Sequence, residues 1–134
     1  MVFSTFMDKL CRIVFLKETA ELPSTYYLGF STTAPTSDGA NISEPNGVGY
    51  GRVALTNLAT SGNGVVSNAD EIDCGEASGS WGTLTWCILF DSQTGGNPLS
   101  AAQMSKPITV DEGETLKLKA GNIKLYFGEA QVIV

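Results

Sequence analysis

The stretch GSWGTLTWCILFDSQTGGN, residues 79–97, decides the fold. It holds a strand, a turn and the start of the next strand. Leu84, Trp86, Ile88 and Phe90 alternate with Thr83, Thr85, Cys87 and Leu89, the period of two that a β-strand imposes on its side chains. The first set predicts one packed face. The second set is only half polar, so that face is expected to be covered as well. Ser92–Asn97 then supplies a turn with paired glycines.

The same period recurs on both sides. Tyr26, Leu28 and Phe30 alternate with Tyr27, Gly29 and Ser31. Tyr50–Thr56 reads as a second strand, and Val65–Cys74 as a weak one with a polar kink at Ser67–Asn68. Asn57–Gly64 reads as a turn or loop. Leu99–Met104 leads outward, and Pro107–Val110 begins the last sheet region. After the turn at 111–113, Leu116 and Leu118 are expected inward and Lys117 and Lys119 outward. Ile123, Leu125 and Phe127 alternate with Lys124 and Tyr126, and Val132–Val134 adds a short last strand. Thr32–Val48 is a long loop of Pro, Gly, Ser, Asn and Asp, of the kind that often carries function.

Seven or so short strands with turn signals every ~8–12 residues predict a mainly β chain, an antiparallel β-sandwich of jelly-roll-like type. One N-terminal amphipathic helix precedes it. Phe3, Phe6, Met7, Leu10, Ile13 and Val14 share one face at helical spacing. Thr5 and Asp8 have the spacing of a capping box, and Asp8 suits the positive end of the helix dipole. The expected organisation is a single domain over 1–134, with the helix at about 4–17 and the sandwich at about 24–134. The apolar helix face packs either on its own β-domain or on a neighbouring subunit. Asp8, Lys9 and Arg12 interrupt the N-terminal apolar run, so neither a membrane span nor a cleavable leader is expected.

Composition narrows the function. The 134 residues carry 43% hydrophobic and only 16% charged residues, against about a quarter charged in ordinary domains. A chain of this size buries roughly two thirds of its unfolded surface and holds a core without staples. The net charge of −6 repels phosphate backbones and anionic bilayers, so neither nucleic acid nor membrane insertion is expected. Three cysteines, Cys11, Cys74 and Cys87, form no Cys-x-x-Cys site and read as free thiols.

Catalytic chemistry is not expected. The chain has no histidine, the commonest general base and metal ligand. The glycines of GVGYGR at 47–52 match no dinucleotide fingerprint, because no helix follows them, and read as turn residues. Asp70, Glu71, Asp73 and Glu76 match no calcium-loop spacing and read as a solvated acidic edge. Cys87 sits mid-strand among apolar residues and reads as structural. Trp86 is expected in the core, whereas Trp81, between Ser80 and Gly82, is either core or an exposed stacking ring. No catalytic residue, cofactor or metal is therefore expected.

Several motifs resemble a family of small tailed-bacteriophage virion proteins of the tail-fibre or head-fibre (decoration) type. YYLGFSTTAPTSDG at 26–39 and EPNGVGYGRVAL at 44–55 are similar to two of its segments. EASGSWGTLTWCILFDSQTGGN at 76–97 resembles its most distinctive stretch, and KPITVDEGETLKLKAGNIKL at 106–125 its ending. The chain departs from the family at Cys87 and in running on from Tyr126 to Val134. The resemblance implies a non-enzymatic, multi-copy virion subunit of a fibre, collar or capsid decoration, assembled in the host cytoplasm. Its partners would be copies of itself and other virion proteins, with Phe3, Phe6 and Leu10 as subunit contacts. The alternative is a carbohydrate-binding module for host-surface glycan, presented on loops 32–48 and 57–64.

Overall fold

The computed structural model describes residues 1–60 and 62–127. Over these residues the chain is mainly β with antiparallel sheets and one helix, as the period of two along its strands and the helical spacing at its N-terminus predict. Helix α1 spans Ser4–Phe15. Strands β1 (Tyr26–Ser31), β2 (Val53–Leu55), β6 (Gly82–Phe90) and β7 (Pro98–Val110) form a four-stranded sheet in the order β2-β1-β6-β7. Strands β3 (Leu58–Thr60), β4 (Val66–Asn68) and β9 (Lys124–Leu125) form a second sheet. Strands β5 (Ile72–Glu76) and β8 (Thr115–Leu118) form a third.

Strand β6, from the stretch at 79–97, is central. It pairs with β1 through Phe30 opposite Cys87 and Tyr27 opposite Phe90. It pairs with β7 through Ile88 opposite Ala101. Both faces of this sheet are covered. On one, Leu28, Phe30, Leu55, Leu84, Leu116 and Leu118 build the main core with Cys74 and Trp81. On the other, Ile88, Phe90 and Ala101 pack against Phe3, with Trp86 half-buried beside them.

The alternation within β6 is broken in one place. Leu84 packs in the main core with Trp81, while Ile88 and Phe90 belong to the second cluster. The register against β7 shifts between Leu84 and Trp86: Leu84 faces Ile108, yet Trp86 faces Gln103. Extra residues of β7 opposite Thr85 act as a bulge, and a bulge re-aims the side chains on either side of it. Pro98–Val110 is consequently one irregular strand, where two separate segments were expected.

Other boundaries differ for local reasons. Leu58–Thr60, expected in a loop, pairs with Val66–Asn68. Val65–Cys74 divides into β4 and β5 because Asn68 is buried and turns the chain. Its amide donates to the carbonyls of Asp70 at 2.8 Å and Lys119 at 3.0 Å, and its oxygen accepts the Ile123 N–H at 2.9 Å. Leu116 and Leu118 face inward and Lys117 and Lys119 outward, as alternation requires. Ile123 and Leu125 pack on the main core, but Phe127 is 72% exposed. The expected strand at Val132–Val134 lies outside the described residues.

Helix α1 starts earlier than its capping pattern implies. Phe3 is the N-cap residue and makes no side-chain cap. Its N–H donates to Leu99 O at 2.9 Å and its ring is buried, so the β-domain sets where the helix begins. Thr5 and Asp8 consequently do not form a capping box, and no acid stands in the first turn. Asp8 instead pairs with Arg12 one turn on, at 2.9 Å. The helix ends at Phe15 as Lys17 turns to a φ of 58°, and the N–H groups of Leu16 and Glu18 both donate to Arg12 O.

Candidate interaction surface

The helix face read from the sequence splits in two. Phe3 and Phe6 are buried within their own chain, and Leu10 and Ile13 are half-buried. Phe3 packs on Ile88, Phe90 and Ala101. Phe3 and Phe6 are thus largely covered by their own chain. Of the rest of the apolar face, Met7 is 40% and Val14 52% exposed, and beyond it at the helix end Phe15 is 75% and Leu16 65% exposed. Leu22, beyond the helix, is 46% exposed. Val14, Phe15 and Leu16 are three consecutive large apolar side chains at the helix end, each more than half exposed.

On the other side of the molecule, a groove of about 270 Å³ runs beside β2. Its apolar lining includes Val53, Leu55, Leu58 and Ile72, and Asp70, Glu71 and Asp73 stand along it. Asp70 accepts the side-chain N–H of Asn57. Asp73 accepts the Gly75 N–H at 2.8 Å. Glu71 reaches Lys117 at 4.0 Å with both side chains more than half exposed, a pair of little energetic weight. Among the described residues, no group of three or more His, Cys, Asp or Glu is placed to hold a metal. No described helix is long and apolar enough to cross a membrane.

Trp81, Cys74 and Cys87 are taken up in packing. Trp81, whose place the sequence left open, is buried. Its Nε1–H donates to Val48 O at 2.8 Å and its ring meets Tyr50 edge-on at 5.5 Å. Burial pushes the Cys74 thiol up to about 12, aided by Cys87 and Asp73, and pushes Cys87 up to about 11. A thiol held protonated in this way is not a nucleophile. Cys11 is exposed on α1.

One cluster escaped the sequence reading. Arg52 pairs with Glu44 at 2.8 Å, and both side chains are mostly buried. Tyr50 donates its hydroxyl proton to Glu44 Oε2 at 2.6 Å and accepts the Phe30 N–H at 2.9 Å. Burial, then this bond to Glu44, holds the Tyr50 phenol well above its ordinary range. Arg52 also donates to Ser92 O and Gly95 O, at 2.9 and 2.7 Å. The cluster ties the loop before β2 to the β6–β7 turn. No local pattern in the sequence marks it, because its members lie on separate segments brought together by the fold. The long loop at 32–48 is likewise held from within, through Thr32 N–H to Ser43 O and Ser43 N–H to Ser31 Oγ.

The site is thus a doubly covered β-sheet with an apolar helix end turned outward. The family model of Podophage GP4 fiber I protein gp80 matches residues 3–126, and the chain belongs to that family. It is a phage fibre-type protein, with the virion-structural role that such membership carries. No curated protein matches the chain.

Proposed function

We propose that the chain is a non-enzymatic, multi-copy subunit of a phage fibre, with the outward end of α1 as a contact surface. The observation that carries this reading is the run Val14, Phe15 and Leu16, each more than half exposed on a helix whose only buried residue is Phe6. A 12-residue helix is marginal in water unless an apolar face is packed. The family membership supplies a setting with many neighbours. The contact role expected of Phe3, Phe6 and Leu10 passes, in this proposal, to the outer residues and the edge of Leu10.

The carbohydrate-binding alternative, on loops 32–48 and 57–64, requires exposed aromatics or a calcium site. Trp81 is buried, Trp86 is half-buried, and the 32–48 loop is bonded to itself, so the structural reading is the better supported. Quantitative mass spectrometry of purified particles tests it. The chain is expected at several copies per particle, with no turnover of host-surface glycans. Particles that lack the chain would overturn the reading.

A further inference from the structure

The two surface features lie at opposite edges of one sheet. Helix α1 sits beside β7, and the groove runs beside β2, the two outer strands of the order β2-β1-β6-β7. They are also complementary in charge. From Ser4 to Lys17 the chain carries Lys9, Arg12 and Lys17 against Asp8 alone. The remainder of a chain with 8 basic and 14 acidic residues is strongly acidic. Glu18 pairs Arg12 at 3.5 Å, which leaves Lys17, at the helix end, as the forward charge. The groove has apolar walls and carries Asp70, Glu71 and Asp73. At about 270 Å³ it lies below the roughly 300–1,000 Å³ of small-molecule sites, and suits one or two protruding side chains.

We propose that the outer end of α1 in one copy seats in the acid-lined groove beside β2 of a second copy. This rests on the multi-copy reading above and specifies its contact. Phe15 enters between Val53, Leu55 and Ile72. Val14 and Leu16 cover the rim, and Lys17 faces Glu71 and Asp70. The contact is heterologous: the surface given differs from the surface received. Each copy then offers a free helix at one end and a free groove at the other, so the contact propagates into a ring or a filament. The aromatic anchor supplies affinity and the charges supply register.

The test uses the full chain, with association read by sedimentation velocity over a range of concentrations. Phe15→Ser is expected to weaken association by about thirtyfold, as loss of a buried aromatic anchor does. Phe15 is exposed in the single copy, so this variant keeps its fold, which circular dichroism checks. Lys17→Glu and Glu71→Lys are each expected to weaken association by about tenfold, and the double variant to recover most of it. In a Cys11→Ser background, Lys17→Cys together with Glu71→Cys is expected under mild oxidation to link one copy to the next and give a ladder of covalent oligomers. Association unchanged by Phe15→Ser and Lys17→Glu overturns the docking while leaving a multi-copy subunit that uses another face. A wild-type chain that stays monomeric at its highest attainable concentration overturns the docking outright. Its absence from particles would in addition remove the multi-copy reading.

Discussion

The Arg52 guanidinium lies 3.4 Å from the centre of the Phe90 ring while its N–H groups bond carbonyls of the turn that follows that ring. Cation, ring and turn are thereby fixed as one unit on the second face of the sheet. Glu44 completes it as the counter-charge.

Arg52→Ala is expected to cost about 3 kcal/mol. The change leaves a mostly buried Glu44 without its partner and strands two carbonyls of the turn. Arg52→Lys keeps the charge but not the planar fork and stack, and is expected to lose about 1–2 kcal/mol. Urea denaturation measures both. Amide hydrogen exchange should quicken across residues 91–97 in either variant. Equal stability of Arg52→Ala and the wild type would reduce the cluster to an ornament.

Trp81 offers a second measurement. Trp81→Ala is expected to cost about 4 kcal/mol, the range for emptying a buried aromatic site. Trp81→Phe keeps part of the ring contact with Tyr50 and loses the Nε1–H bond to Val48 O, which still accepts the Ser78 N–H, for about 1 kcal/mol. Trp86→Phe, at a half-buried site, is expected to cost less than either. Thermal unfolding of the three variants ranks them. An inverted order of Trp81 and Trp86 would place the main core elsewhere.

What the sequence made legible follows from which residues carry a period. Leu116 and Leu118 against Lys117 and Lys119 could be assigned from alternation alone, since nothing interrupts them. Leu84 could not. The residues that displace it from the Ile88 face lie on the partner strand β7, about twenty positions away, and a bulge leaves no mark on the strand it re-aims. Asn68 was legible as a kink but not as the hub of three bonds, two of them to residues some fifty positions on. The α1 face was legible as apolar, yet periodicity does not say which part of a face is covered. Phe3 was drawn inward by a backbone bond to Leu99, and that pairing shows only in three dimensions. Arg52 and Glu44 were hidden for the same reason: a buried ion pair has no local pattern.

The cysteines give a pH dependence with a definite sign. Cys74 and Cys87 are held neutral in the fold, at about 12 and about 11, against the ordinary value of 9.0. The unfolded chain loses these protons first. Stability from this source is therefore complete below pH 9 and falls as pH rises from 9 through about 11 for Cys87 and about 12 for Cys74. Urea midpoints between pH 8 and 10.5 should decline, and Cys74→Ala should flatten part of the decline while lowering the midpoint at pH 8. Ellman's reagent at pH 8 should titrate Cys11 alone in the folded chain and all three thiols in denaturant. Rapid titration of three thiols in the folded chain would show that the two buried ones are open to solvent.

Gly49 supplies the most local test. Its φ is 77°, and a Cβ there would lie 2.6 Å from Glu76 O and 3.2 Å from Ser78 N. Those atoms are backbone and cannot swing aside, because Ser78 N–H is itself bonded to Val48 O at 2.9 Å. Gly49→Ala therefore meets both a disfavoured dihedral and a clash, and is expected to cost about 2–3 kcal/mol. Gly47, two residues earlier, has a φ of 68° but open space around it. Gly47→Ala meets the dihedral alone and is expected to cost about 1 kcal/mol. The difference between the two isolates the close approach of the 47–52 turn to the segment that leads into Trp81. If both substitutions cost the same, that approach carries no energy, and the glycine at 49 serves the turn by its dihedral only.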